Sequence, residues 1–383
     1  MKGPGDALVI GAGLAGCSVA AALARRGFRV GVIGGAEPAA SAIPVAVLAP
    51  PPVPGNDPVT ALRRRGARVT AAWCNRLEAA TGDCGRLGRG VLLLPHRERD
   101  RARFARLPRR GAGPVRVDPA AAAELGGIEV GDDCVHHPGG GWFDPAGLCR
   151  ALLSRAGIPA PLAARVAGLE YRAGRWSARD AQGGELARAP LVVVAAGIGS
   201  ARLLPGLPLV PARGQATAIA ATGPVAGLRL AVSGGGYAVP GPDGRAWLGA
   251  TLQRGTADAA PRSDDDTRNR ALAARLWPGV GMPPTEGAFA AVRATTRDRL
   301  PLVGPVAPGL WCATGHGTQG LATAPLSALL LADAIARGGP SPLLRRLDPY
   351  RAAAGGRGAA LAHPWRRASG APVTPAAHWE IPA

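Results

Sequence analysis

Residues 7–33 read ALVIGAGLAGCSVAAALARRGFRVGVI, and their pattern decides the fold. Ala7 to Ile10 is an apolar strand pattern, Gly11-Ala12-Gly13-Leu14-Ala15-Gly16 a glycine turn, the alanine-rich stretch to about Arg26 a helix, and Phe28 to Ile33 a second strand. Strand, glycine turn, helix and strand form the opening unit of a dinucleotide fold. Here Gly11 permits the tight turn, Gly13 lets the backbone approach a pyrophosphate, and Gly16 lets the helix pack closely. The acidic residue that would hold a ribose at the end of the second strand is missing, since Gly34 and Gly35 stand there, and Glu37 is the nearest substitute. Ala7 to Ala24 is uncharged and long enough to raise a membrane or signal-peptide reading. Its three glycines, and arginines that follow the run instead of preceding it, argue against both. No other stretch is a convincing span, so the expectation is a cytoplasmic protein with no membrane partner.

Further along, Pro190 to Ala196 (PLVVVAA), ending in Gly197, has the continuous apolar pattern of a buried parallel strand. Asp144-Pro145 starts a helix through Arg155, with Asp144 as N-cap. Arg213 to Ala250 alternates short strands with Gly/Pro turns, as in an antiparallel sheet, and Asp264 to Trp277 reads as a helix. Leu310 to Ala313, the loop TGHGTQG and a helix from Leu321 to Ala336 containing Pro325 form the last strong unit. The fold class expected is α/β with an α+β part. A Rossmann-like, glutathione-reductase-type FAD-binding domain is assembled from residues 1–75, 130–205 and 290–350. A substrate domain with an antiparallel sheet takes 76–129 and 206–289, and 351–383 is a low-complexity tail.

Composition sets the outer limits. In 383 residues, 47% hydrophobic and 19% charged side chains exclude a disordered or fibrous chain. The formal net charge of +19 favours a polyanionic partner such as nucleic acid. Lys2 is the only lysine, however, and the accompanying excess of Ala, Gly and Pro fits genome-wide codon bias equally well. From Arg86 to Arg116 ten arginines face only Glu98 and Asp100, which reads as a basic, loop-rich insertion. Arg97, Arg99, Arg101 and Arg103 would share one face in a strand and spread around a helix. The six cysteines contain no C-x-x-C pair, which fits reduced thiols and no structural zinc.

Two further stretches carry chemistry. Gly315-His316-Gly317-Thr318-Gln319-Gly320 precedes a helix and can present backbone N–H groups to the far end of a large cofactor such as FAD. His316 is either a packing residue or a catalytic base. In Val292-Arg293-Ala294-Thr295-Thr296-Arg297-Asp298-Arg299, an arginine at a strand end suits carboxylate recognition by its planar fork, while Arg297 and Asp298 pair to fix the turn.

VRATTRDRLPLVG followed by TGHGTQGLATAPLSALLLA resembles the FAD-dependent oxidase domain of the MnmC-type bifunctional enzymes that finish 5-aminomethyl groups on the tRNA wobble uridine. These belong to the glycine oxidase and D-amino acid oxidase (DAO) superfamily. GGGWFDP at Gly139–Pro145, VAAG at Val194–Gly197, Arg213-Gly214-Gln215, the Tyr237 strand, Gly249-Ala250-Thr251 and the acidic run to Asn269 extend the likeness over residues 6 to 350. The resemblance implies an FAD-dependent amine oxidoreductase acting on CH–NH bonds. It removes the carboxymethyl group from 5-carboxymethylaminomethyl(-2-thio)uridine in tRNA and releases glyoxylate, with oxygen as electron acceptor and any methylation left to a separate methyltransferase. It also implies Arg293 as the carboxylate clamp, with Tyr237 and His316 in the catalytic set. Gly11 to Gly16, Glu37, Val166, Ala196, Gly197, Gly304, Gly315, Gly317, Thr318, Gln319 and Gly320 are implied at the cofactor, and no residue at a metal.

Departures from the family pattern are specific. Ser41 to Ala46 lacks the Asn and Gly of the S-G-N-x-x-G loop, Gln319 replaces the arginine of the late loop, Leu329 replaces a glutamate, and the methyltransferase domain is absent. A glycine- or D-amino-acid-type oxidase or dehydrogenase acting on a free small amine, and a flavin-poor RNA-binding relative, are the alternatives.

Overall fold

In the computed structural model the apolar run Leu191–Val194 and the alternating run Val210–Ala220 become strands of two different sheets. The structure describes residues 6–36, 39–53, 55, 57–277 and 281–351. The chain opens with β1 (Asp6–Ile10), α1 (Leu14–Ala24) and β2 (Arg29–Ile33). β3 (Ala46–Leu48), the long α2 (Pro58–Thr81), β4 (Arg86–Leu93), α3 (Glu98–Phe104), β5 (Val115–Val117), α4 (Pro119–Gly126), β6 (Cys134–Phe143) and α5 (Pro145–Arg155) come next. They are followed by β7 (Gly168–Arg172), β8 (Arg175–Arg179), β9 (Glu185–Ala189), β10 (Leu191–Val194) and the short α6 (Ser200–Leu203). Then come β11 (Val210–Ala220), β12 (Ala231–Ser233), β13 (Tyr237–Pro240), β14 (Arg245–Gly249), β15 (Gln253–Arg254), α7 (Ser263–Leu276) and β16 (Thr285–Thr295). β17 (Leu302–Ala307), β18 (Leu310–Thr314), α8 (Gly320–Arg337) and α9 (Pro342–Arg345) complete the order.

The described residues divide into two compact units. The first draws on Met1–Ala39, Cys149–Pro211 and Arg293–Ala383, the second on Ala40–Leu148 and Ala212–Val292. In the first unit the sheet order is β17-β18-β10-β1-β2, with β18, β10, β1 and β2 parallel and β17 antiparallel at the edge. All four residues of β10 are buried, as a parallel strand covered on both faces requires. Leu8, Ile10, Val192 and Val194 point into a core shared with Trp176 and Ala178 of β8, in the antiparallel sheet β7-β8-β9. The Trp176 indole N–H donates to Pro308 O at 2.8 Å, so this large side chain is buried without an orphaned donor. α1 packs against α8, joined at their ends by an ion pair between Arg26 and Asp333. Gly317–Arg337 is, among the described residues, the one helical stretch long and apolar enough to cross a membrane. Two-thirds of its apolar window is buried inside the fold, as in the core helix of a globular unit.

The second unit is built on a larger sheet, in the order β15-β11-β14-β13-β12-β4-β6-β3, with β16 on β11 and β5 on β6. Two expectations change here. Residues 40–75 and 130–148, expected in the cofactor domain, fall in this unit because β3 pairs with β6, Ala46 lying opposite Phe143, and α2 packs on β6. The Arg86–Arg116 segment is not a loop-rich insertion. β4 is an interior strand between β12 and β6, β5 is a second partner of β6, and α3 carries Arg99, Arg101 and Arg103 around a helix instead of along one strand face. Several of its arginines serve carboxylates: Arg86 and Arg89 hold Glu78, Arg101 holds Glu98 and Asp132, and Arg109 and Arg116 both approach Asp133. All six cysteines are free and buried.

Arg213, Gln215 and Thr217 alternate along β11 and therefore share one face, where they meet the first turns of α7. Arg213 is wholly buried and ion-paired with the equally buried Asp265. Its second terminal nitrogen, Nη2, donates to Gln215 Oε1 at 2.8 Å and Ala260 O at 2.5 Å. Gln215 Nε2 and Thr217 Oγ1 donate to Asp266 at 2.8 and 2.6 Å, and Asn269 Nδ2 donates to Gln215 O at 2.9 Å. The charges are compensated only as a set. Asp265→Asn is therefore expected to lower unfolding free energy by about 3–5 kcal/mol, because it strands the Arg213 guanidinium. The double change Arg213→Met, Asp265→Leu should recover much of that loss. Urea denaturation midpoints of the three proteins measure both effects.

Candidate functional site

Three loops leave the carboxyl ends of three adjacent parallel strands, which is where open α/β sheets bind ligands. Gly11–Gly16 follows β1, Ala195–Gly197 follows β10, and Gly315–Gly320 follows β18. The first two interlock through the backbone. Gly11 has φ +118°, its N–H donates to Ile33 O at 2.7 Å, and a Cβ on it would lie 2.3 Å from Ala195 O. A Cβ on Gly16 would lie 1.8 Å from Gly11 O, so α1 can start this close to the turn only with glycine there. The third loop is tied to the second by Thr314 Oγ1, which donates to Gly197 O at 2.9 Å.

α1 begins from Gly13 and α8 from Gln319. Neither helix has a capping side chain or an acidic residue in its first turn. Their amino ends thus combine forward-pointing N–H groups with positive dipole ends, the donor set that suits a pyrophosphate and an electron-rich ring edge. The chemistry of these donors fits a dinucleotide. The side chain of Val166 packs in the core beside Ile10 and Ile33, so only its main chain is left for a ligand. Gly304 lies within β17 opposite Cys312, and a Cβ there would come 3.0 Å from Pro349 Cδ, a packing reason for glycine at this position. Ala196 N lies 2.9 Å from a Cβ built on Gly11, and Gly317 and Gln319 form a short helical turn leading into Gly320. The Gln319 side chain donates to Thr318 Oγ1 at 3.1 Å. Glu37 lies outside the described residues.

Around His316 the hydrogen bonds settle the tautomer. Thr323 Oγ1 donates its one hydrogen to Gln319 O at 2.9 Å, so at 2.9 Å from His316 Nδ1 it accepts, and the imidazole proton sits on Nδ1. Nε2 is sealed from solvent with no hydrogen-bond partner among the described residues, and burial pushes the imidazole down to about 4. A base must reach a substrate proton. In this arrangement His316 ties the loop to α8 through Thr323.

The other two catalytic expectations lie elsewhere. Arg293 is half-buried on β16, two residues before Thr295, whose Oγ1 donates to Val210 O at 2.8 Å. Tyr237 is half-buried on β13 opposite Gly249, where an added Cβ would come 2.8 Å from the Tyr237 hydroxyl. Asp298 does not pair with Arg297. Arg351, the first residue of the expected tail, donates Nε and Nη2 to its two oxygens at 2.8 and 2.9 Å, and adds bonds to Leu300 O and Pro301 O at 2.7 and 2.9 Å. That fork holds the Asp298 carboxyl down at about 2. Sequence reading also missed Thr314 and Thr323. For Thr323, its four-residue spacing from Gln319 was an available signal.

Open helix ends on glycine turns, gathered at one edge of a parallel sheet, define a dinucleotide-binding α/β protein. The chain belongs to the DAO family: the model described as FAD dependent oxidoreductase matches residues 6–334, and FAD is the cofactor. It is 37% identical over 401 residues to a protein of Verminephrobacter eiseniae named tRNA 5-methylaminomethyl-2-thiouridine biosynthesis bifunctional protein MnmC, covering 90% of this chain and 62% of that one. A protein of the same name from Paracidovorax citrulli is 38% identical over 90% of this chain and 59% of its own. The chain thus spans about six-tenths of the length of these relatives. Among solved structures, glycine oxidase from Geobacillus kaustophilus has the same fold, with a TM-score of 0.75 at 24% identity over 90% of this chain and 98% of that one. Iminodiacetate oxidase from Chelativorans sp. BNC1 superposes with a TM-score of 0.74 at 26% identity, over 90% and 98% of the two chains.

A neutral, sealed imidazole has a pH signature. In the unfolded chain His316 takes up a proton near pH 6.5, and in the folded chain only near 4. Stability therefore falls as pH drops across that window, by about 3 kcal/mol from this residue. His316→Asn keeps a donor for Thr323 and removes the titration. Its unfolding free energy should fall less between pH 6.5 and 4 than that of the parent, as measured by denaturation in buffers spanning that range.

Proposed function

We propose that the protein removes the carboxymethyl group from 5-carboxymethylaminomethyl(-2-thio)uridine at the tRNA wobble position, leaving the aminomethyl nucleoside and releasing glyoxylate. The observation that carries this reading is identity of 37–38% over nine-tenths of the chain with relatives whose name places them in 5-methylaminomethyl-2-thiouridine biosynthesis. The name of iminodiacetate oxidase supports it, because iminodiacetate is itself a secondary amine bearing a carboxymethyl group. A tRNA substrate places the work in the cytoplasm.

Bound FAD supplies a two-electron acceptor for the methylene carbon next to the amine. The protein's part is to hold and orient. Backbone N–H groups of Gly11–Gly16 receive the pyrophosphate, and Ala196, Gly197 and Gly315–Gly320 line the rest of the cofactor. In this reading Arg293 receives the substrate carboxylate on its guanidinium fork and so fixes where the methylene stands, and Tyr237 is the second polar side chain at the substrate. The amine must be unprotonated to give up the hydride. The resulting C=N bond adds water and breaks to an amine and an aldehyde, glyoxylate. Oxygen is the proposed final electron acceptor.

Nucleoside mass spectrometry of tRNA from a deletion strain should reveal accumulation of the carboxymethylaminomethyl nucleoside. An unchanged profile, together with rapid oxidation of free glycine or iminodiacetate by the purified enzyme, would transfer the assignment to a small amine. Arg293→Ala should retain FAD by its absorption spectrum yet lose about 2–4 kcal/mol of transition-state stabilisation, read as kcat/KM. Arg293→Lys should restore only part, because an ammonium cannot make the paired contact.

A further inference from the structure

Helix α2, PVTALRRRGARVTAAWCNRLEAAT, buries Leu62, Thr70, Trp73, Cys74 and Leu77. At about 100° per residue, Arg65, Arg68 and Arg76 fall within about 80° of one another on the opposite side, and Arg65 to Arg76 spans about 16 Å of helix. All three are exposed, and the other exposed residues between Arg65 and Arg76, Ala72 and Asn75, are uncharged. The one carboxylate of the helix, Glu78, is held by Arg86 and Arg89 at 3.1 and 2.5 Å. Nothing on the helix therefore offsets the stripe. In the Arg86–Arg116 segment Arg101, Arg109 and Arg116 stand beside Asp132, Asp118 and Asp133, while Arg97, Arg99, Arg103, Arg106 and Arg110 are exposed with no ion pair among the described residues.

We infer that this stripe on α2 is a docking surface for the phosphate backbone of RNA, with Arg65, Arg68 and Arg76 each neutralising phosphate charge. The inference rests on the tRNA reading above. Charge complementarity identifies the occupant: three exposed guanidinium groups along one helix, with no ion-pair partner among the described residues, match a row of phosphates. An anionic membrane would need apolar side chains exposed beside the cations, and here the large apolar residues of α2 face the core.

The test is equilibrium binding of a tRNA transcript to the FAD-loaded full chain across a salt series. Arg65→Ser, Arg68→Ser, Arg76→Ser is compared with the parent and with Arg337→Ser, Arg345→Ser, Arg346→Ser, which removes the same charge from exposed sites in the other unit. The α2 triple should reduce the log–log salt slope by about two to three units, and the control triple should leave it at the parental value. The matching triple change to Lys keeps the charge and should keep the slope, which separates a lost contact from a damaged fold. Equal slopes for the α2 triple and the parent, or equal losses in both Ser triples, would overturn the surface while leaving the tRNA reading standing. A parent chain that binds no tRNA would overturn both. Retained tRNA binding with lost binding to phosphatidylserine vesicles would assign the stripe to a membrane.

Discussion

A carbonyl oxygen, that of Ala195, occupies the place where any side chain at residue 11 would have to go. The first unit depends on this approach. It sets the glycine turn against the end of β10, while the Gly11 carbonyl in turn sits where a side chain at residue 16 would stand, so α1 starts directly behind the turn. Thr314 carries the same contact across to β18. Three loops separated by more than a hundred residues in sequence are thereby held at one sheet edge by backbone geometry, and no side chain caps the helices behind the first and the third.

The second unit solves a different problem with polar side chains. β11 turns Arg213, Gln215 and Thr217 toward α7, and these are buried groups that hydrophobic burial alone would disfavour. Each is matched by a partner at the start of α7, so the helix has one admissible rotation and register on the strand. The network thus specifies geometry more than it adds net stability, since an apolar replacement of equal volume would hold the two elements together as well.

What the sequence made legible is local. The glycine turn with its flanking apolar runs, the VVVAA strand and the late glycine loop each carry their pattern within about twenty residues, and each forms the element expected of it. The organisation of residues 40–148 was not legible, because β6 contains Pro138 and three consecutive glycines that read as loop, although its pairing with β3, β4 and β5 makes it a hub of the large sheet. Dense arginine likewise concealed β4, whose apolar half is short. At the site, the residues of the glycine loops were visible and their ties were not. Arg351 reaches Asp298 across 53 residues, and the state of His316 depends on where a single threonine proton goes.

The parallel order of the smaller sheet has a consequence for synthesis on the ribosome. β1 is made some 180 residues before its neighbour β10, and α1 rests on a helix whose Asp333 lies 307 residues beyond Arg26. The segment β1–α1, apolar at nearly every position, therefore has β2 beside it early but waits for β10 and α8 until much later in synthesis. The strands and helices of the other unit are complete in the nascent chain by residue 295, before the last two strands and α8 of this one. Closure of the cofactor unit is thus a late, long-range event, and chaperone dependence or aggregation during expression would arise from the exposed first strand and helix before it arises from the larger, mixed sheet.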